Sequence, residues 1–179
     1  MDRPQYIPNF LTARELANTY IPRRWHRSTV IDDSGALIVD SMRTSSQAAL
    51  RNSKLIALLQ MRMRAFLSRP TITFDEGSFV RYEEGNSYAL HGDVAGLASG
   101  RDWTLLLSLE AAKEGGETDF PHAGERFRVQ PGDALIWPNR RQHTPGVWSE
   151  NDLLDHRALP VRAGRKTVIN AWFSSTQNN

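Results

Sequence analysis

Apolar and polar positions in the first seventy residues recur with the spacing that is typical of helices. Thr12 and Glu15 have the spacing of a capping box, which predicts a short helix that ends before Pro22. A second capping box at 44–47 predicts the start of another helix. A stripe of apolar residues at helical spacing follows, ends before Pro70 and is expected to lie in the core: Ile56, Leu59, Met63 and Leu67.

The pattern changes after residue 70, where short β-prone runs alternate with turn-forming residues. Two helices followed by roughly eight short strands predict a mainly β fold, a double-sheet jelly roll with an N-terminal helical layer packed outside it. Within one domain of 1–179, helical support is expected over about 10–70 and the jelly-roll core over about 71–174. The predicted strands are Ser78–Tyr82, Ser87–Leu90, Trp103–Leu109, Glu117–Phe120, Arg126–Val129, Ala134–Trp137, His156–Val161 and Lys166–Phe173.

The composition narrows the classes of function. The chain has 179 residues, and its 22 basic and 20 acidic side chains leave a formal net charge of +2, which does not by itself favour nucleic acid. Because cysteine does not occur, disulfides and iron–sulfur clusters are excluded, and any metal site must use His, Asp or Glu. No stretch has the apolar length of a membrane span, and the first residues lack the apolar run of a signal peptide. A cytoplasmic protein with no membrane contact is therefore the expectation.

His91 and Asp93 are candidate metal ligands. Residues two apart in a strand point to the same side, so that an imidazole and a carboxylate can aim at one point. A further His would complete a 2-His-1-carboxylate triad, which leaves three positions of octahedral Fe(II) open for a cosubstrate and O2. The pair alone is a weak signal, because a surface His beside an Asp in a turn has the same spacing.

The remaining ligand must come from His26, His122, His143 or His156. His156 is favoured because it begins an apolar strand. A turn at Ala163–Gly164 then predicts a hairpin that brings Lys166 back beside that strand. A lysine inside an apolar barrel is costly unless a carboxylate pairs with it. His143, in a loop, is the rival, and an exposed or hydrogen-bonded state is favoured for the three histidines other than His156.

Four segments together resemble the prolyl 4-hydroxylase-like branch of the Fe(II)/2-oxoglutarate dioxygenases. They are RYEEGNSYALHGD (81–93), TLLLSLEAAKEGGETDFP (104–121), VQPGDALIWPN (129–139) and DHRALPVRAGRKTVINAWF (155–173). Two upstream segments, 9–15 and 43–50, resemble the branch more loosely. The match covers most of the chain in family order. It implies a cupin-like jelly roll, the double-stranded β-helix, with iron at its mouth.

The resemblance also implies the cofactor and the cosubstrates, which are Fe(II), 2-oxoglutarate and O2, with ascorbate in a supporting role. The metal-ligand positions of the family fall on His91, Asp93 and His156. Lys166 falls on the basic residue that pairs with the remote carboxylate of 2-oxoglutarate, and Tyr82 and Thr118 fall on hydroxyl positions near that cosubstrate. A second interpretation of Tyr82 stays open, in which it closes the end of its strand with its hydroxyl bonded to backbone.

Three further positions match residues that line the substrate side of the iron in the family: Tyr88, Arg101 and Trp172. A solvated charge is the alternative for Arg101, and a core position is the alternative for Trp172. The chain departs from the family in two places. The loop Val94–Arg101 is shorter than the segment that peptidyl hydroxylases often fold over a peptide, and Thr167 stands where an aromatic residue is common.

The resemblance implies hydroxylation of an unactivated C–H bond with release of succinate and CO2. A prolyl residue of a peptide or protein, or a proline-like amino acid, is the favoured substrate. An oxygenase acting on alkylated nucleic acid or another small molecule is the first alternative, disfavoured for nucleic acid by the charge balance and by Ala95 and Gly96, where that branch usually has an acid. A non-catalytic jelly-roll binding protein is the second. The sequence leaves the oligomeric state open.

Overall fold

The computed structural model describes residues 3–31, 34–94, 100–144 and 147–175, without the side chains of residues 31, 142–144 and 147–148. The helices are α1 (Ala13–Ala17) and α2 (Ser53–Leu67), and one 3-10 turn spans Asp152–Leu154. The strands are β1 (Gln5–Ile7), β2 (His26–Arg27), β3 (Val30–Ile31), β4 (Leu37–Ile38), β5 (Ser46–Ala49), β6 (Ile72–Tyr82), β7 (Tyr88–His91), β8 (Trp103–Glu110), β9 (Glu114–Gly115), β10 (Thr118–Phe120), β11 (Glu125–Phe127), β12 (Ala134–Pro138), β13 (Arg140–Thr144), β14 (Val147–Glu150), β15 (His156–Ala158), β16 (Val161–Ala163) and β17 (Lys166–Ser175).

Helix α1 begins with the predicted capping box. The side chain of Thr12 accepts a hydrogen bond from the backbone N–H of Glu15, and the Glu15 carboxylate accepts one from the backbone N–H of Thr12 at 2.8 Å. The helix ends at Ala17, well before Pro22. The short helix is therefore specified by its own sequence.

The predicted helix start at 44–47 is wrong. Residues Ser46–Ala49 form β5, which pairs with β2 on one side and β6 on the other. Helix α2 begins later, with Asn52 as its N-cap, whose side-chain oxygen accepts a hydrogen bond from the backbone N–H of Leu55 at 3.1 Å. Sheet pairing outweighs the local capping pattern, because two neighbouring strands satisfy the backbone of β5.

Two antiparallel sheets build the barrel. The larger sheet has the strand order β1-β12-β8-β17-β6-β5-β2, and the smaller sheet has the order β11-β10-β15-β7. One buried cluster lies between α2 and the outer face of the larger sheet and includes Leu59, Met63, Leu105 and Ile169. A second cluster joins the inner faces of both sheets and includes Leu106, Phe120, Trp137 and Val168. The predicted jelly roll with a helical layer outside is confirmed, whereas the assignment of 1–179 to one domain stays a prediction.

The expected hairpin that returns Lys166 beside the strand of His156 is wrong. Strand β17 lies in the larger sheet between β6 and β8, and His156 begins β15 in the smaller sheet. The predicted strand His156–Val161 is also divided, since β16 begins at Val161 and pairs with β9. Pro160 lies at the division and has no N–H to give to a ladder. Lys166 therefore faces the His156 strand across the barrel.

Neither helix in the described ranges has both the length and the hydropathy of a membrane span.

Candidate metal centre

Three predicted ligands meet at one mouth of the barrel. His91 ends β7 and His156 begins β15, and the two residues are direct partners in the ladder. Asp93 follows β7 in a bend, so the strand alternation expected for the pair stops at His91. One ligand atom from each of the three residues lies within 4.8 Å of the others, and His156 Nε2 lies 3.9 Å from Asp93 Oδ2. The arrangement suits a single metal ion.

Backbone contacts orient both imidazoles. The Nδ1 atom of His91 lies 2.8 Å from the carbonyl oxygen of Ala89, and Nδ1 of His156 lies 3.2 Å from that of Leu154. Since a carbonyl can only accept, each Nδ1 carries the proton. Each Nε2 therefore keeps its lone pair for a metal, as in sites where the other ring nitrogen is held by backbone.

The charge states at the site also suit a divalent cation. Burial and the neighbouring His156 lower the pKa of His91, so its ring is neutral at pH 7. Burial alone would raise the pKa of Asp93. The two imidazoles and a hydrogen bond from Thr104 together outweigh that effect and lower the pKa, so the carboxylate is ionised. Two imidazoles and one carboxylate form the donor set that binds Fe(II) with open positions.

A short chain of hydrogen bonds supports Asp93 from behind. The Thr104 hydroxyl lies 2.6 Å from Asp93 Oδ2, and Nδ2 of Asn139 lies 2.8 Å from that hydroxyl. Thr104 and Asn139 are both buried. Sequence reasoning missed both residues, because each comes from a strand or loop far from His91 in the chain.

A buried ammonium group lies deeper in the barrel. Lys166 is only 6% exposed. Its Nζ lies 3.2 Å from the Thr118 hydroxyl and 5.4 Å from the centre of the Tyr82 ring. Burial lowers the pKa of Lys166 to about 8, although Glu117 acts in the opposite direction. Within the described ranges no carboxylate lies within ion-pair distance of Nζ. A buried cation in this state fits a ligand that brings its own carboxylate, as 2-oxoglutarate does.

The neighbours of Lys166 agree with the predicted alternation. Arg165 lies on the outside and pairs with Glu110, with its Nε 2.8 Å from the carboxylate. Tyr82 lies directly opposite Lys166 in the ladder and is buried. Burial raises the pKa of Tyr82, although the neighbouring Arg43 and Ser45 act in the opposite direction. The role of the Tyr82 hydroxyl stays a prediction.

A groove of about 510 Å³ opens in front of the metal ligands and is lined by the three predicted substrate residues. The ring of Tyr88 stacks on His91 with centroids 3.6 Å apart. The Arg101 guanidinium lies 3.8 Å from the centre of the Trp172 indole and pairs with Glu76. Trp172 is half-buried and lines the groove, which differs from a core position, and Arg101 is packed rather than freely solvated.

Two charged residues of the groove were not predicted as site residues. Arg43 is 8% exposed, donates from Nη1 to the carbonyl of Thr29 at 3.1 Å, and lies 4.7 Å from the centre of the Tyr88 ring. Glu76 forms the ion pair with Arg101 described above. Only the loose likeness of 43–50 to the family pointed to Arg43, and no local signal pointed to Glu76.

Two of the other histidines lie outside this cluster. His26 is exposed in β2, and His122 is exposed in the turn after β10. The side chain of His143 lies outside the described residues, as do 95–99 of the loop Val94–Arg101.

Comparison with known proteins agrees with the site. Residues 77–174 match the sequence model of the 2OG-Fe(II) oxygenase superfamily. The chain is 29% identical over 174 residues to probable prolyl 4-hydroxylase 7 of Arabidopsis thaliana, a match that covers 82% of this chain and 54% of the relative. It is 28% identical to prolyl 4-hydroxylase subunit alpha-2 of Gallus gallus, over 85% of this chain and 30% of the relative. The chain thus spans about half or less of the length of these two relatives.

The fold is similar to that of the viral collagen prolyl hydroxylase from Paramecium Bursaria Chlorella virus-1, solved as a 2OG complex. The TM-score is 0.72 at 23% identity, and the match covers 97% of this chain and 96% of the viral chain. At this identity the likeness supports the fold alone. The family match covers more than half of the sequence and includes the candidate metal centre. The chain therefore belongs to the 2OG-Fe(II) oxygenase superfamily, whose cofactor is Fe(II) and whose cosubstrates are 2-oxoglutarate and O2.

Proposed function

We propose that the chain is a dioxygenase that hydroxylates an unactivated C–H bond of a prolyl residue or proline-like amino acid. One observation carries the proposal: the cluster of His91, Asp93 and His156 opens on a groove, and the buried Lys166 lies in the same barrel without a carboxylate partner in the described ranges. Fe(II), 2-oxoglutarate and O2 would together supply the hydroxylation, with release of succinate and CO2.

The three ligands would hold Fe(II) with Nε2 of each imidazole and a carboxylate oxygen of Asp93. Both imidazoles direct Nδ1 to a backbone carbonyl, which leaves Nε2 to face the metal, and the carboxylate is ionised. Three ligands on one side leave three octahedral positions for other groups. The Tyr88 ring against His91 closes one side of the site and limits the access of water.

Lys166 would bind the far carboxylate of 2-oxoglutarate through a charge-assisted hydrogen bond. The hydroxyl of Thr118 is already 3.2 Å from Nζ and can donate to the same carboxylate. Tyr82 lies beside Lys166 in the ladder and would add a further wall or a hydroxyl contact. These residues would fix the cosubstrate at its remote end and leave its keto-acid end toward the metal ligands.

The groove supports a peptide or protein substrate. Its volume of about 510 Å³ is in the range of sites that enclose drug-sized ligands, and it greatly exceeds one proline ring. Arg101 Nε and Trp172 Nε1 are buried donors with no partner in the described part of the chain, and carbonyl oxygens of a peptide would satisfy them. The curated relatives are prolyl 4-hydroxylases, which favours a prolyl residue. The cytoplasmic location stays a prediction.

Succinate release tests the proposal. Purified protein with Fe(II) and 2-oxoglutarate is offered proline-rich peptides, free L-proline, other amino acids and alkylated oligonucleotides. Substrate-dependent succinate and a hydroxylated proline-rich peptide are expected. His91→Ala and Asp93→Ala should abolish both products, whereas His26→Ala, which removes an exposed histidine of β2, should keep them.

Three results would contradict the proposal or one part of it. Full turnover by His91→Ala or Asp93→Ala would remove the metal assignment. Hydroxylation of oligonucleotides alone would support the oxygenase assignment but contradict the prolyl substrate. The absence of succinate with every substrate would favour a non-catalytic binding protein.

A further inference from the structure

We infer that Thr104 and Asn139 are positioning residues that hold the Asp93 carboxylate in its metal-binding orientation. The inference rests on the proposed role of Asp93 as a ligand. It concerns two buried polar side chains whose polar atoms lie beside Asp93 in the barrel. The Asn139 amide also donates to the carbonyl of Arg101, at 3.4 Å.

The direction of each hydrogen bond follows from chemistry. The Thr104 hydroxyl has one proton and two acceptors in reach, Asp93 Oδ2 at 2.6 Å and Asn139 Oδ1 at 3.0 Å. It donates to Asp93, because the ionised carboxylate is the nearer and the stronger acceptor. The hydroxyl oxygen can then only accept from Asn139, whose Nδ2 lies 2.8 Å away. The result is a one-way chain from amide to hydroxyl to carboxylate. A donor that is itself hydrogen-bonded in this way polarises toward the acceptor.

The backbone of Asp93 takes part in no described strand pairing, and its carbonyl accepts a long hydrogen bond from Arg101 Nη1, at 3.5 Å. The residue lies in a bend after β7, outside the ladder that fixes His91 and His156. A carboxylate in such a position can rotate unless a side chain holds it. Thr104 is suited to this task, because its β-branched side chain has few χ1 states and because β8 lies in the middle of the larger sheet.

Asn139 is held firmly in turn. Its backbone N–H donates to the carbonyl of Asp102 at 2.8 Å, and its carbonyl accepts from the backbone N–H of Asn151 at 3.0 Å. The residue as a whole is 5% exposed. Asn139 therefore ties the end of β12 to the strand that carries Thr104, and its amide fixes the rotation of the hydroxyl.

Metal affinity of the metal-free protein tests the inference without any turnover. Mn²⁺ is titrated and the free ion is followed by EPR, at a temperature where every variant is folded. Thr104→Val keeps the shape and removes the hydroxyl, and it should raise the Kd for Mn²⁺ by about 10–100-fold. Thr104→Ser keeps the hydroxyl and should stay near the wild-type Kd. Asn139→Ala should weaken binding alone but add little in the Thr104→Val background, because it acts through Thr104.

Thr167→Val is the matched control. Thr167 is also buried in the larger sheet and its hydroxyl also donates to a carboxylate, that of Glu110 at 3.0 Å, but on the outer face. The Thr167→Val variant should lose a similar hydrogen bond and keep the wild-type Kd for Mn²⁺. The inference is overturned if Thr104→Val binds Mn²⁺ as the wild type does, if Thr104→Ser is equally weak, or if Thr167→Val weakens binding as much.

The proposed metal ligands and the positioning role of Thr104 can be contradicted independently of each other. His91→Ala should lose Mn²⁺ binding whatever Thr104 does. Wild-type affinity for Mn²⁺ in His91→Ala would contradict the proposed ligands. If His91→Ala loses Mn²⁺ binding but Thr104→Val binds Mn²⁺ as the wild type does, only the positioning role is contradicted.

Discussion

At the scale of single residues, Lys166 is the decisive test of the cosubstrate site. Lys166→Ala removes a buried ammonium group that pairs with no carboxylate in the described ranges. A hydrogen bond to a charged group contributes about 1.5–3 kcal/mol, so the Kd for 2-oxoglutarate should rise by roughly 10–100-fold. Calorimetry on the metal-loaded protein without O2 measures it. Metal affinity should not change, because Lys166 is not among the grouped ligands.

Arg165→Ala is the control for this change, since Arg165 is the adjacent cation but pairs with Glu110 on the outside. Lys166→Arg should not restore binding, because a planar fork replaces a point charge in an enclosed site. Equal affinity for 2-oxoglutarate in wild type and Lys166→Ala would remove the role proposed for the lysine.

The same lysine predicts a pH dependence. Burial lowers the pKa of Lys166 to about 8, so its ammonium form is complete well below pH 8 and is lost as pH rises through that value. The dicarboxylate binds the charged form. The apparent Kd for 2-oxoglutarate should therefore be flat at neutral pH and rise about tenfold per pH unit above pH 8. A flat profile to pH 9.5 would contradict this, and Lys166→Ala should show that flat profile.

Local motifs predicted those site residues whose separation along the chain is itself characteristic of a metal site. His91 and Asp93 lie two apart, and the structure brings both to His156 within 4.8 Å. Their role as ligands stays a prediction. Thr104 and Asn139 could not be predicted in this way. A threonine in a strand and an asparagine after one are common, and only the packing of distant segments brings their polar atoms to Asp93.

At the scale of elements, the contact between β9 and β16 depends on a glycine. Gly115 has φ +70°, and a Cβ atom there would overlap the carbonyl oxygen of Pro160. Gly115→Ala should combine about 1 kcal/mol of left-handed strain with roughly 2 kcal/mol of overpacking. The melting temperature should fall by about 10 °C.

Gly85→Ala isolates the steric part of this effect. Gly85 has φ +80°, so its backbone strain is similar, but nothing lies within 4 Å of an added Cβ. Its melting temperature should fall by only about 3 °C. Equal losses in the two variants, measured by thermal unfolding, would show that the contact with Pro160 yields easily.

Elements were predictable where their stabilising hydrogen bonds form between residues that are close in the sequence. The Thr12–Glu15 capping box is an example, because both hydrogen bonds form within one turn. The pattern at 44–47 failed because pairing with β2 and β6 decided its structure. The hairpin to Lys166 failed for a related reason, since a turn at Gly164 does not determine which sheet receives the next strand.

At the scale of the whole molecule, the pattern of helices before strands predicted the jelly roll and the layer outside it. It did not predict the groove. That surface is assembled from β5, β6, β7, β17 and the segments around Arg43 and Arg101, which are far apart in the chain. Its walls combine cations, two acids and aromatic rings, and such a combination has no periodicity to recognise.

The charge of the whole molecule predicts how turnover depends on salt. The net charge is +2, and the groove contains Arg43 and Arg101 together with Glu76, whose carboxylate pairs with Arg101. For the peptide that gives the most succinate, kcat/KM should therefore change less than about twofold between 50 and 200 mM KCl, because few ions are released on binding. A single-stranded oligonucleotide would behave differently, since the logarithm of its affinity falls with the logarithm of salt at a slope of about −0.7 per neutralised phosphate. Succinate release at four KCl concentrations distinguishes the peptide from the oligonucleotide.

Arg101→Ala should lower kcat/KM for the peptide at every salt concentration without changing the slope of kcat/KM against salt, because the Arg101 guanidinium is enclosed by Trp172 rather than exposed to ions. A steep loss for the peptide itself would show that long-range charge, and not the shape of the groove, recruits the substrate.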